Sequence, residues 1–292
     1  MSEKNIISTW LSKHNPHAWF DMDGTIKHAD KKYPNKFNPA VVGVLLGLKE
    51  MSGIGACTDQ SPYELASFLA KMLPENGGVI FTGPSILEGG HVQVDKGSKI
   101  DHDFQILTSQ EAQVEMQTIV SMFQASWTAI ADNPDGWGLL PGVNTPVALA
   151  EGKYQGVGSI SIWEQGPDMH NPEYHGDYEL VLEWVKAQAM ALQLLKQTEL
   201  KEVGNGTLRV VQIGVGKAPL LEKLHEQGAV DLGASLYCGD GLNDVDPAKT
   251  VKKYGGIVVA VGNACPELKA VADIIANGMV SDGVVEIFQG AI

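Results

Sequence analysis

Apolar positions in this chain recur with two periods, and the points where the period changes mark out its organisation. A short buried run, His17-Ala18-Trp19-Phe20, predicts a first strand. Asn38-Pro39 then looks like an N-cap with proline at the first helical position. Val41, Val42, Val44, Leu45, Leu48 and Met51 follow at helical spacing, and Gly53 ends the run. A second strand is predicted at Ile54-Gly55-Ala56-Cys57, ending in Thr58. Ser61-Pro62-Tyr63-Glu64 fits a capping box and opens a helix to about Met72. Strand, helix, strand, helix predicts a parallel sheet of βαβ units. Gly78 to Phe81 supplies a candidate third strand, and Glu88-Gly89-Gly90 is placed to turn a hairpin into His91 to Val94.

The rhythm changes after about Lys99. Thr108-Ser109-Gln110-Glu111 has the form of a second capping box, leading a helix through Val114, Ile119, Val120 and Phe123. A polar patch, Asp132 to Gly142, interrupts it. Strands are predicted at Val147 to Ala150 and at Ser159 to Trp163, then a polar loop over Gln165 to Gly176. A helix from about Tyr178 to Leu195 and a strand, Leu208 to Ile213, complete this stretch. Mixed elements joined by long loops suggest a separate α+β unit inserted into the first. The α/β rhythm resumes at Gly216-Lys217, with a helix over Pro219 to His225 and a strand at Ser235 to Cys238. The loop Gly239-Asp240-Gly241-Leu242-Asn243-Asp244 follows, then a strand at Ile257 to Val261 and a helix from Pro266 to Ala272. Ile274-Ile275 is short and apolar, and a last helix is expected over Gly283 to Phe288.

Composition narrows the partners. The 292 residues are enough for one large domain or two ordinary ones, and 44% hydrophobic residues can fill a sizeable core. A net charge of −14 argues against nucleic acid or anionic lipid as the main partner. Three cysteines, Cys57, Cys238 and Cys265, form no CxxC pair and suggest neither a disulfide framework nor a zinc knuckle. No signal-like or membrane-spanning run is evident, so a cytoplasmic protein is expected.

Candidate chemistry sits where the predicted strands end. Asp21-Met22-Asp23-Gly24-Thr25 leaves the first strand with two acids where a plain turn needs one. Like charges so close repel unless a cation lies between them, and a hard ion such as Mg²⁺ is the natural guest. A calcium loop is a poor alternative, because its glycine and glutamate positions hold Ile26 and Lys32. Thr58, Lys217 and Asp240 with Asn243 and Asp244 lie at three other such ends. Together these residue types suit phosphoryl transfer through a carboxylate nucleophile, with a second acid moving protons. A metal, a lysine and a hydroxyl would balance the phosphoryl oxygens. Individually the signals are weaker: Thr58 alone reads as a turn hydroxyl and Lys217 as a solvated helix start. Asn243 and Asp244 could instead cap a helix, and Asn263 fits a cap or a site contact equally well. His14, His17 and His28 lack ligand spacing and read as surface or strand-end residues.

This set resembles the haloacid dehalogenase superfamily of phosphotransferases. Its first motif, DxDGT, stands here as Asp21 to Thr25, its second as Thr58, its third as Lys217 and its fourth, GDGxND, as Gly239 to Asp244. The tail Val261-Gly262-Asn263-Ala264-Cys265-Pro266, with Asp282-Gly283-Val284, resembles the Cof-type sugar-phosphate phosphatases. The resemblance implies a Rossmann-like parallel core over 1–100 and 214–292, with an α+β cap inserted at 101–213. Thr58 follows Asp21 by 37 positions and Lys217 follows Thr58 by 159, so the insert falls where that superfamily carries its large second-class cap.

The roles implied are Asp21 as nucleophile, Asp23 as acid and base, and Thr58, Lys217 and Asn243 on phosphate. Asp21, Asp23 through its backbone carbonyl, Asp240 and Asp244 are the implied surroundings of Mg²⁺. After Thr58 the family usually has glycine and arginine, whereas this chain has Asp59 and Gln60, a change expected to weaken phosphate binding or shift substrate choice. The expected activity is hydrolysis of a small phosphorylated metabolite, most plausibly a sugar phosphate. The alternatives are a phosphomutase, or a non-catalytic phosphometabolite-binding regulator. In the insert, Trp137, Trp163, His170 and His175 could select substrate or simply pack.

Overall fold

The computed structural model describes residues 3–28, 36–73, 80–100, 102–132, 158–164, 183, 190, 194–203, 207–290 and 292. They divide into two compact units, Met1–Gln105 with Gly216–Ile292, and Ile106–Val215.

The first unit is built on a five-stranded parallel sheet. In chain order its strands are β1 (His17–Phe20), β2 (Gly53–Ala56), β9 (Ser235–Gly239), β10 (Ile257–Ala260) and β11 (Ile274–Ile275), arranged β11-β10-β9-β1-β2. The strand that carries the first acid pair therefore lies between the two that precede Thr58 and Asp240. Register is set by Phe20, which faces both Ala56 and Cys238, so Asp21, Cys57 and Gly239 leave the sheet side by side. All four residues of β1 are buried, which is why the strand is a continuous apolar run rather than an alternating one.

Helices α1 (Glu3–Leu11), α2 (Ala40–Met51), α3 (Pro62–Met72), α5 (Lys217–Glu226), α6 (Val245–Lys253), α7 (Pro266–Val271) and α8 (Val280–Phe288) complete this unit; α4 (Gln110–Asp132) belongs to the second. The Ser61–Glu64 capping box forms in full, with each side chain bonded to the other's backbone N–H. Asn38 Oδ1 accepts from Ala40 N, as an N-terminal capping residue does. A short sheet of β3 (Ser85–Leu87), β4 (Val92–Val94) and β5 (Phe104–Ile106), with β3 and β4 antiparallel, lies beyond β2, and Glu88–Gly90 turns the expected hairpin.

Several expectations need correction. Of the strand expected at Gly78 to Phe81, Gly78 and Val79 lie outside the described residues, and Ile80 and Phe81 are irregular. Strand pairing resumes at Ser85, because Gly83 N–H is already bonded to Ile54 and Cys57 bridges to Ile86. The last helix begins at Val280 rather than Gly283, and the helix at Lys217 begins two residues earlier than its apolar spacing suggests. His17 is the strand-end residue expected, opening β1, and both it and His28 are buried; His28 Nε2 pairs with Ser281 Oγ at 2.9 Å, joining the first loop to α8.

In the second unit α4 accompanies an antiparallel sheet of β6 (Ile160–Glu164), β7 (Thr198–Val203) and β8 (Thr207–Gln212), ordered β6-β8-β7. Ser109 rather than Thr108 caps α4, its Oγ accepting from Ala112 N at 3.2 Å, while Thr108 Oγ1 is turned to Gly158 O. Glu115 reaches from α4 to the start of β7 and accepts from Thr198 N at 3.1 Å. The loop expected after Asp132, the strand at Val147 to Ala150, the loop at Gln165 to Gly176 and most of the helix at Tyr178 to Leu195 lie outside the described residues. So do Trp137, His170 and His175.

Candidate active site

The carboxyl edge of the sheet gathers Asp21, Thr58, Asp240, Asn243 and Asp244, and the first turn of α5 brings Lys217 to them. Lys217 is the hinge of the arrangement. Its Nζ lies 3.1 Å from Asp21 Oδ1 and 2.9 Å from Asp244 Oδ1, and all three side chains are buried. Burial alone would depress this lysine, but Asp21 and Asp244 outweigh it and hold the ammonium well above its ordinary pKa. The charge is therefore fixed inside the fold.

Asp244 takes four hydrogen bonds. Lys217 Nζ and the Tyr237 hydroxyl, at 2.7 Å, donate to Oδ1, and the backbone N–H groups of Asp240 and Gly241, each at 3.0 Å, donate to Oδ2. A carboxylate offers about four acceptor positions, so Asp244 is saturated and braces the loop that presents Asp240. Asp240 Oδ1 accepts from Thr25 Oγ1 at 2.9 Å and Oδ2 from Asn263 Nδ2 at 3.1 Å. Asn263 also donates to Gly24 O and accepts from Val280 N, so it ties the first loop to the fourth and to α8. It is both a structural tie and a contact of the site.

Gly24 is required twice over: its φ is +83°, and a Cβ there would run into the Asp240 carboxylate. The DxDGT glycine thus lets the two acidic loops touch.

Asp21 uses only Oδ1 in the hydrogen bonds of the described residues; Oδ2 accepts none. Burial, then Asp244, raises its pKa well above the carboxylate range, with Lys217 opposing. Burial, then Asp244, lifts Asp240 to about 7. Burial is the larger cause of both shifts and the neighbouring carboxylates add to it, so the edge would favour an added positive charge. Oxygens of Asp21, Asp240 and Asp244 lie within 4.8 Å of one another, a hard-oxygen cluster that suits a small divalent cation.

Asp23 stands apart from that cluster. Its side chain is 57% exposed, with Lys27 Nζ 2.7 Å from Oδ1 and Gln60 Nε2 2.6 Å from Oδ2. Thr58 is buried, its Oγ1 accepting from Gln60 N at 3.2 Å, which leaves the hydroxyl proton to donate elsewhere. Asn243 Nδ2 is turned to Asp59 Oδ2. The other lysine of α5, Lys223, is exposed.

Thr25, Lys27, Tyr237 and the partnerships of Asp59 and Gln60 were not anticipated. Only Tyr237 left a usable signal, since a tyrosine inside a buried strand needs a partner for its hydroxyl.

A parallel sheet in which an inner strand, β1, ends in a paired acid, with a buried lysine and two further acids on the loop after the neighbouring β9, defines a hydrolase of the phosphoryl-transfer class. Residues 180–288 match the family of haloacid dehalogenase-like hydrolases. Over 272 residues, 91% of this chain and 93% of its relative, the sequence is 24% identical to YkrA of Bacillus subtilis (strain 168), a candidate phosphatase by name. A shorter stretch of 89 residues, 30% of this chain and 34% of the relative, is 32% identical to the 5-amino-6-(5-phospho-D-ribitylamino)uracil phosphatase YcsE of the same organism. Among solved structures, BT1666 of Bacteroides thetaiotaomicron, from the phosphatases of the haloalkanoate superfamily, matches with a TM-score of 0.58 at 17% identity, covering 96% of this chain and 97% of its own. The chain belongs to the haloacid dehalogenase superfamily, in its Cof-type branch, and is a phosphatase.

Proposed function

We propose that the protein hydrolyses the phosphate ester of a small metabolite, a sugar phosphate or close relative, through an aspartyl-phosphate on Asp21. The observation that carries this reading is the placement of Asp21: Lys217 grips one of its oxygens and the other is left without a donor. Asp21 Oδ2 forms a bond to phosphorus as the ester P–O bond breaks, and the leaving oxygen takes a proton from Asp23. Asp23 then accepts a proton from water, whose oxygen displaces Asp21 from phosphorus and releases inorganic phosphate. Lys217, Thr58 and the donors around them hold the phosphoryl oxygens as charge spreads over them.

Asp21, Asp240 and the Asp23 carbonyl would hold Mg²⁺, with Asp244 supporting the loop; its saturated carboxylate suits that role better than direct ligation. When bound, the ion would neutralise phosphoryl charge. The excess of buried carboxylate over ammonium supports a cation here. The inserted unit is read as the cap that selects substrate, and its weak motif content leaves the leaving group's identity to assay. YcsE, by its name a phosphatase of a phosphorylated ribitylamino compound, supports a metabolite ester as the substrate class. A cytoplasmic location fits the free cysteines and the lack of any helix, among the described residues, long and apolar enough to cross a membrane.

Asp21→Asn tests the reading directly. It is expected to abolish hydrolysis of an aryl phosphate while the circular dichroism spectrum is kept, and chelation of divalent ions should do the same reversibly to the unaltered protein. Survival of turnover in Asp21→Asn would falsify the nucleophile assignment.

A further inference from the structure

The two residues that depart from the family pattern after Thr58 are not idle. Gln60 is 5% exposed and fixed at its backbone, where its N–H donates to Thr58 Oγ1 at 3.2 Å and its carbonyl accepts from Glu88 N at 3.1 Å. From this mount its amide reaches across to the first loop and donates to Asp23 Oδ2 at 2.6 Å. The other end of the same amide, Oε1, is buried with no hydrogen-bond partner among the described residues. A buried acceptor left unmade is unfavourable. Only Nε2 can satisfy a carboxylate, so the amide's orientation answers to Asp23 and to nothing else around it.

Asp23 otherwise has little to hold it. It is the exposed member of the acid pair, and its second contact, Lys27, is an i,i+4 ion pair. Pairs of that kind fix a side chain weakly. Lys27 itself is 26% exposed, with its Nζ 6.0 Å from the Phe68 ring centre.

We propose that Gln60 is the positioning residue of the proton-transfer step. It holds the Asp23 carboxyl group in the attitude from which it protonates the leaving oxygen. This rests on the assignment of Asp23 above. As the P–O bond breaks, its electron pair stays on the leaving oxygen, which takes the Asp23 proton. The carboxylate left behind is the form that Gln60 Nε2 and Lys27 Nζ both hydrogen-bond.

A leaving group of low basicity departs without help, whereas a basic one needs the proton. The test is therefore a series of aryl phosphates from dinitrophenyl to unsubstituted phenyl, assayed for kcat and KM. Gln60→Met is expected to lose about 10- to 100-fold in kcat on phenyl phosphate and less than about 3-fold on the dinitrophenyl ester, with KM little changed. Gln60→Glu, which keeps the shape and removes the donor, should steepen the dependence in the same way. Gln60→Arg, a donor again, should restore the unaltered slope.

Asp23→Asn serves as the reference. If it fails to steepen the dependence, the role given to Asp23 is wrong. If it does steepen it while Gln60→Met and Gln60→Glu slow every ester by one common factor, or by none, the positioning role is overturned. Should the Met variant not fold, the Glu and Arg pair decides alone.

Discussion

His17 and Asp21, four positions apart, open and follow β1, and the two ends of that strand treat a buried titratable group in opposite ways. At the amino end His17 is enclosed against Gly53 and Gly83, its ring 4.4 Å from that of Trp19 and tilted 49° to it. Its Nε2 and the Trp19 Nε1 are both buried without hydrogen-bond partners among the described residues. Burial, with Lys96 adding to it, lowers the His17 pKa to about 3, so the ring is neutral. At the carboxyl end Asp21 is as deeply buried, but a lysine from another element touches it. Burial with no counter-charge produces a packing group. Burial beside carboxylates that the first turn of α5 reaches keeps the Lys217 ammonium inside the protein, in contact with Asp21.

The comparison breaks first if the counter-charge is dispensable. Lys217→Met removes the ammonium that Asp21 and Asp244 share and leaves two buried carboxylates facing each other. Turnover is expected to fall by about 10³-fold, the upper end for loss of one charged transition-state contact. Stability without metal should fall by about 3–5 kcal/mol, as when one partner of a buried pair is deleted. Added Mg²⁺ should raise the melting temperature of the variant by more than that of the unaltered protein, since the ion would take over part of the missing charge. A variant that melts normally without metal and turns over within tenfold would show that the carboxyl end needs no more compensation than the amino end.

The next effect belongs to His17. Its ordinary pKa is 6.5 and its folded pKa about 3, so the unfolded chain binds the proton first. Stability is fully present above pH about 6.5 and is lost progressively as pH falls toward 3. At pH 4 the loss from this residue is on the order of 3 kcal/mol, taking about 1.4 kcal/mol for each unit. Urea midpoints of the unaltered protein and His17→Gln, taken from pH 7 down to 4, isolate it: the variant is less stable at neutral pH but should fall less steeply. Parallel curves would mean that the ring already has a proton or a partner in the fold.

How much of this was readable from the chain follows the same division. The parallel core and the edge that carries Asp21, Thr58, Lys217 and Asp240 were legible, because apolar runs ending in polar residues report strands and their ends directly. The environment of His17 was not, since a histidine opening an apolar run looks alike whether it is buried or solvated. Nor was Gln60, and Tyr237 signalled only that its hydroxyl needs a partner, not which one. Their roles depend on which strands become neighbours, and Gln60 meets Asp23 across 37 positions of sequence. Ile80 and Phe81 are apolar enough for a strand yet irregular, while the ladder resumes only where Cys57 can bridge to Ile86. Ser109 displaced Thr108 as the cap of α4 because Thr108 is drawn to Gly158, a contact no local pattern contains.

The smallest expected effect sharpens the comparison at the edge of the charged cluster. Asp59 stands where the family usually has glycine, is half-buried, and pairs with Asn243, one of the candidate phosphate donors. Its charge adds to the forces that raise both Asp21 and Lys217. Asp59→Asn keeps an acceptor for Asn243 and removes the charge. At an effective dielectric near that of a protein surface, and with partial screening, the relief for an incoming phosphate dianion is on the order of 1 kcal/mol. KM for an aryl phosphate should therefore fall about threefold to fivefold at low salt, and the difference should shrink as ionic strength rises. A KM that rises instead would mean that Asp59 holds Asn243 in the orientation the substrate needs, so that its role at this edge is positional, as a packing group's is at the other end of the strand.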